Sequence, residues 1–136
     1  MHIHKTKLRV QYSETDKMGV VYHGNYIQYF EVGRVELLRS LGLSYKQLEE
    51  MGYSLPVVNY NIDYKKPAFY DDELTIETTI LQVPSVKIVF SYKTYNSDGD
   101  LLNTAETTLV FVDMKTGKPC QSPKILIDKL QNIRTS

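Results

Sequence analysis

Asp16 and His23 are the two side chains whose types and spacing suggest chemistry. They bracket the apolar run Met18-Gly19-Val20-Val21-Tyr22, and Gly24-Asn25 follows at the start of a helical pattern. A carboxylate can attack a carbonyl carbon or take a proton from water. A helix start offers unpaired backbone N–H groups and the positive end of the helix dipole. Such donors stabilise a carbonyl oxygen that is acquiring negative charge. Loops are normally polar, and an apolar one tends to be buried or functional. The stretch Tyr12 to Tyr26 therefore reads as a carboxylate aimed at an oxyanion site. A plainer reading stands beside it. Asp16 can cap its own loop by accepting backbone N–H bonds, His23 can be a packed polar residue, and Asn25 can be a helix N-cap.

The remaining reactive residues offer less. Cys120 sits in Gly117-Lys118-Pro119-Cys120 with no neighbouring histidine, so a thiol nucleophile is not expected. His2 and His4 have no third ligand at a metal-binding spacing, and no metal or cofactor is expected. Gly-x-Ser-x-Gly, phosphate-loop and dinucleotide fingerprints are missing. The chain has 136 residues, which fits one domain spanning residues 1–136. Its 16 basic and 16 acidic residues cancel, which gives nucleic acid no electrostatic purchase. A single cysteine excludes an intrachain disulfide and fits a reducing compartment. No apolar run is long enough to span a bilayer and the N-terminus has no signal-peptide core, so a cytoplasmic protein without membrane insertion is the expectation.

The elements that must position Asp16 and His23 follow from hydrophobic period. Thr6, Leu8, Val10 and Tyr12 alternate with Lys7, Arg9 and Gln11, a strand with one wet face. From Tyr26 to Leu41 the period lengthens. Tyr26, Phe30, Gly33, Leu37 and Leu41 make a stripe widened by Ile27, Arg34 and Leu38, an amphipathic helix. Gly33 inside it costs roughly 1 kcal/mol against alanine, which implies close approach to a sheet or ligand. Gly42 ends that helix. Ser44 and Gln47 form the capping box of a short second helix closed by Gly52. Four strand patterns follow, over Val58–Tyr64, Leu74–Gln82, Val86–Thr94 and Leu101–Val112, with a hairpin turn at Asp98-Gly99. Ser122-Pro123 opens a last helix from Lys124 to Gln131. One long helix against one antiparallel sheet is an α+β domain.

The run Asp16-Lys17-Met18-Gly19-Val20-Val21-Tyr22-His23-Gly24-Asn25-Tyr26, with Gly33-Arg34 in the helix behind it, resembles the hot-dog-fold acyl-CoA thioesterases of the 4-hydroxybenzoyl-CoA thioesterase type. The nearest branch is the small bacterial one that includes the Tol-Pal-associated thioesterases. Asp63-Tyr64-Lys65-Lys66-Pro67-Ala68 and Tyr70-Asp71-Asp72-Glu73-Leu74-Thr75-Ile76 agree with it. The resemblance implies a long central helix wrapped by a curved antiparallel sheet. It implies Asp16 as the catalytic carboxylate and the backbone N–H at His23 as the group that polarises the thioester carbonyl, with the His23 side chain also involved. Tyr22, Gly24 and Asn25 would shape that wall. It further implies a homodimer joined at sheet edges, with active sites at the interface, often paired into a homotetramer. Coenzyme A carries phosphates, and Lys65 and Lys87 are the lysines assigned to them. The hydroxybenzoyl enzyme has an aromatic residue where His23 stands, so its aryl specificity is not implied. The histidine motifs of dehydratase relatives are not found.

A thioester carbonyl is already electrophilic and its thiolate leaves readily, so no strong serine or cysteine nucleophile is required. Asp16 as nucleophile and Asp16 as general base both remain open. The alternatives to acyl-CoA hydrolysis are an acyl carrier protein thioesterase, a hydratase, or a non-catalytic module that binds acyl-CoA or a protein.

Overall fold

The structure, a computed structural model, describes residues 2–135. Its order is β1 (His2–Arg9), α1 (Asn25–Ser40), α2 (Tyr45–Glu50), β2 (Tyr53–Ser54), β3 (Val57–Tyr64), β4 (Glu73–Ile80), β5 (Lys87–Tyr95), β6 (Leu101–Val110), β7 (Val112–Asp113) and α3 (Lys124–Thr135). Five strands form one antiparallel sheet in the order β1-β4-β5-β6-β3. The pair β2-β7 stands apart. None of the helices is long and apolar enough to cross a membrane among the described residues.

Alternation turns one face of the sheet toward α1. Leu74, Ile76, Thr78 and Ile80 of β4 and Ile88, Phe90, Tyr92 and Thr94 of β5 are buried on it. Tyr26, Tyr29, Phe30, Gly33 and Leu37 supply the facing side of α1. Phe30 packs on Tyr92 with ring centroids 4.5 Å apart. Gly33 brings the helix in. A Cβ built there would lie 2.5 Å from Thr78 Oγ1 and 3.1 Å from Ile76 Cγ2, so the sheet is the neighbour that its missing side chain admits. Gly42 has φ +83, the left-handed cap expected of it. Ser44 and Gln47 form the expected reciprocal capping box.

Several boundaries differ from expectation. The first strand was expected over Thr6 to Tyr12, but β1 ends at Arg9 and Tyr12 opens a 3-10 turn, 76% exposed. The Glu14 carboxylate accepts the Gln11 N–H there, and this local bond replaces a ladder bond. In α1, Tyr29 is buried and Ile27 is 51% exposed. Arg34, on the same side as Ile27, is buried with Tyr45 of α2 against it, whereas Ile27, two turns earlier, is exposed. The strand expected to reach Val112 breaks into β6 and β7, and α3 runs past Gln131. β3 is an edge strand with most of both faces exposed.

Gly33→Ala tests the close approach. Helix propensity favours alanine by up to about 1 kcal/mol, while forcing a methyl into a packed contact costs about 1–3 kcal/mol. With the propensity gain taken in full, the expected net loss is about 0–2 kcal/mol in urea unfolding. Adding Thr78→Ala, which removes the nearest atom, should recover most of it. A Gly33→Ala protein more stable than the parent would contradict the packing described.

Candidate active site

The connection from β1 to α1 is a small folded unit. Thr15 and Val21 pair as an antiparallel bridge, and Asp16 N–H donates to Val20 O at 2.9 Å. Gly19, with φ +78, makes the reversal between them. The unit is stitched to the chain before β4, where Val21 N–H donates to Ala68 O and Tyr70 N–H to Gly19 O. This explains an apolar run in a loop: Val21 is buried at the end of the sheet, while Met18 and Tyr22 remain exposed.

Asp16 is exposed in the single chain. Its Oδ1 accepts the N–H of Met18 at 2.8 Å and of Val20 at 3.4 Å, the loop-capping role weighed above. Its Oδ2 makes no hydrogen bond among the described residues. Capping thus occupies one carboxylate oxygen and leaves the other available. Val20, the residue opposite Asp16, forms part of the wall of a pocket of about 210 Å³, together with His23, Tyr26, Tyr64, Lys65 and Pro67. Asp16 is therefore one cross-strand step from that wall.

His23 and Gly24 lie just outside α1. Asn25 N–H donates to Tyr22 O and Tyr26 N–H to His23 O, but the N–H groups of His23 and Gly24 find no acceptor among the described residues. Gly24 is the N-cap, and no side chain caps this helix. Two backbone donors at the positive end of α1 are left facing outward from the protein's own hydrogen bonding. Gly24 has no side chain where Tyr22 lies: a Cβ would stand 3.0 Å from the Tyr22 ring. The His23 ring packs on Tyr64, centroids 4.6 Å apart, and Tyr64 packs edge-on against Tyr26 at 5.7 Å. Burial, with Tyr64 beside it, pushes the Tyr26 hydroxyl up to about 12, so at neutral pH it remains a protonated donor.

Asn25 is not the N-cap. It is the first residue of α1, and its side chain donates to Glu14 O at 2.6 Å. Glu14 was not singled out in the sequence. Its carbonyl also accepts Tyr22 N–H at 2.9 Å, and its Oε1 accepts Tyr29 OH at 2.8 Å and Gln11 N–H at 2.7 Å. Hydrogen bonds to a charged group contribute about 1.5–3 kcal/mol each where shielded from water, less where exposed. Burial and the bond to Glu14 both hold the Tyr29 hydroxyl protonated. Tyr26 and Tyr64 were also missed as wall residues; Tyr64 reaches the site from the end of β3, which no local pattern indicates.

The lysines divide. Lys65 lines the pocket, its Nζ 3.4 Å from Asp63 Oδ2. Lys66 lines it as well, 3.6 Å from Asp100. Lys87 pairs with Val110 at the opposite end of β6 from Asn103, the partner of Tyr64. That separation is roughly 23 Å at the usual strand rise. Within one chain Lys87 is not brought to this pocket. Cys120 is free and far from any of these groups in the pairing, bonded through its N–H to Phe111 O, and burial raises its thiol.

Residues 10–130 match the family model described as the thioesterase-like superfamily. The chain belongs to the thioesterase-like superfamily. Its curated relatives include the putative acyl-CoA thioesterase YneP of Bacillus subtilis, 41% identical over 94% of this chain and 93% of that protein. The acyl-CoA thioester hydrolase YbgC of Escherichia coli is 36% identical over 88% of this chain and 90% of that protein. Among solved structures, DHNA-CoA thioesterase from Staphylococcus aureus superposes with a TM-score of 0.92 at 33% identity, covering 99% of this chain and 93% of that one. These thioesterase neighbours carry the hot-dog fold that the sequence implied. An enzyme that hydrolyses thioesters, expected from the sequence, is the class this superfamily member falls in.

Proposed function

We propose that this chain cleaves acyl-CoA thioesters to a free acid and coenzyme A, with Asp16 as the attacking or activating carboxylate and the N–H groups of His23 and Gly24 as the oxyanion site. The observation that supports this most is the pair of unpaired donors at the start of α1, beside a pocket wall that His23 shares with Val20, the residue opposite Asp16. A thioester carbonyl placed with its oxygen on those donors would expose its carbon to a group about 3 Å away. By direct attack, Asp16 forms a mixed anhydride as the carbon–sulfur bond breaks, the CoA thiolate takes a proton, and water then hydrolyses the anhydride. By general-base action, Asp16 takes a proton from water, whose oxygen adds to the carbonyl; the tetrahedral intermediate then expels the CoA thiolate, which takes up the proton from Asp16. The His23 ring, held on Tyr64, would close the wall beside the leaving group.

The exposed edge of β3 favours a homo-oligomer. A second copy joined there would continue the sheet beyond Tyr64, satisfy the free edge and enclose the pocket. The same arrangement would bury Asp16 more than the single chain does. A CoA substrate and a free cysteine fit the cytoplasm.

An acyl-CoA panel read by thiol release should show hydrolysis, and Asp16→Asn should lower kcat by at least ~100-fold with the fold intact. His23→Ala should lose less, because its backbone donor is retained. Near-parental turnover in Asp16→Asn would overturn the site. Binding of acyl-CoA without thiol release, unchanged in Asp16→Asn, would favour the binding module instead. Single turnover in isotopically labelled water tests the first route: label in the Asp16 carboxylate indicates attack through an anhydride that water opens at the Asp16 carbonyl.

Of the lysines, Lys65→Ala should raise KM by about 3–10-fold, more at low salt than at high, as expected for a phosphate contact. Lys87→Ala should leave KM within about twofold if only the chain's own pocket is used. The reverse ranking would place the CoA phosphates away from the Lys65 wall.

A further inference from the structure

We propose that Glu14 is a positioning residue for this hydrolysis: it holds the start of α1 so that the His23 and Gly24 N–H groups stay where the oxyanion forms. The inference rests on the hydrolase reading given above and adds to it a residue outside the Asp16–His23 pair. His23 and Gly24 lie between Tyr22 and Asn25, and both of those flanking residues are tied to a single atom. Glu14 O accepts Tyr22 N–H at 2.9 Å and Asn25 Nδ2 at 2.6 Å. The two free donors are thus on a short span of backbone anchored at both ends on one carbonyl oxygen.

That oxygen is only as fixed as the peptide that carries it. Glu14 closes a 3-10 turn, and main-chain bonds alone would leave such a turn free to shift against the helix. Its side chain removes that freedom. Oε1 accepts Tyr29 OH at 2.8 Å, from the buried face of α1, and Gln11 N–H at 2.7 Å, at the start of the same 3-10 turn, which closes the turn on itself. Tyr29 is itself packed edge-on against Tyr26, whose ring lines the pocket. One residue therefore closes the turn and references the donor span to the helix and, through Tyr29 and Tyr26, to the pocket wall. A displacement of oxyanion donors by about 1 Å is enough to cost on the order of 100-fold in rate, so a tether of this kind acts on kcat.

The test uses the full chain and the acyl-CoA it hydrolyses fastest. Glu14→Ala should lower kcat by about 10–100-fold with KM within about threefold. Glu14→Gln, which retains an acceptor oxygen for Tyr29 and Gln11, should recover most of that loss. Tyr29→Phe should lower kcat in part, and Glu14→Ala combined with Tyr29→Phe should fall no further than Glu14→Ala alone, because both remove one tether. Amide hydrogen exchange over residues 20–29 should quicken about tenfold in Glu14→Ala and less in Tyr29→Phe. A folded Glu14→Ala with parental kcat overturns the proposal, as does a Glu14→Gln variant as slow as Glu14→Ala. If Glu14→Ala does not fold, Tyr29→Phe decides: unchanged kcat and unchanged exchange overturn it. Should Asp16→Asn keep parental turnover, the hydrolase site fails, and the exchange of residues 20–29 still judges Glu14.

Discussion

Helix α1 lies against the sheet as closely as a hydrogen in place of a methyl allows, and the rest of the site depends on that contact. Thr78 and Ile76 occupy the space that a side chain at Gly33 would need. The contact fixes the height of the rod over the sheet. One turn toward its start, Phe30 then meets Tyr92, and a further turn on, Tyr26 meets Tyr64. The start of the helix is therefore set by packing near its middle. Its free donors are aligned by a buried apolar seam, which resists displacement better than a surface loop would.

Polar groups complete the placement where packing ends. Arg34 is buried, 7% exposed, and its Nε donates to Tyr45 OH at 3.1 Å, which pins α2 to α1. Tyr92 OH and Thr107 Oγ1 lie 2.6 Å apart within the sheet. At the other end of α1 the corresponding work falls to Glu14, through Tyr29 and Asn25. The two ends differ in consequence. The Arg34 bond joins two helices, whereas the Glu14 bonds hold the span that contains His23, a residue of the pocket wall.

What could be read from the sequence follows from the same forces. β4 and β5 alternate cleanly because one face is apolar and buried while the other is wet, so their positions were legible. β1 starts before its alternation becomes visible, because its inward residues His2 and His4 are polar and its outward Ile3 is apolar, which reverses the pattern over the first positions. β6 ends at Val110 because Val112 and Asp113 change partner and pair with Ser54 and Tyr53 of β2, a switch that no local pattern announces. Asp16, His23 and Gly24 were visible because they fall in one compact motif. Glu14 was not, since a glutamate in a turn reads as solvated and Gln11, three residues before it, is not one of the usual N-cap residues. Tyr64 and Tyr26 come together only when the end of β3 folds over the start of α1. Lys87 is a charge to which the sequence gives no location, and within one chain the sheet places it at the far end of β6 from Tyr64.

The central claim is spatial: a thioester carbonyl sits between the free Asp16 oxygen and the His23 and Gly24 N–H groups. It is tested most directly by an experimental structure of the assembled protein with an uncleavable acyl-CoA analogue, a ketone in place of the thioester. The account predicts the carbonyl oxygen within about 3 Å of one or both N–H groups and an Asp16 oxygen, or a water bonded to it, about 3–3.5 Å from the carbonyl carbon. A carbonyl bound elsewhere, with Asp16 still facing solvent in every subunit, would contradict it.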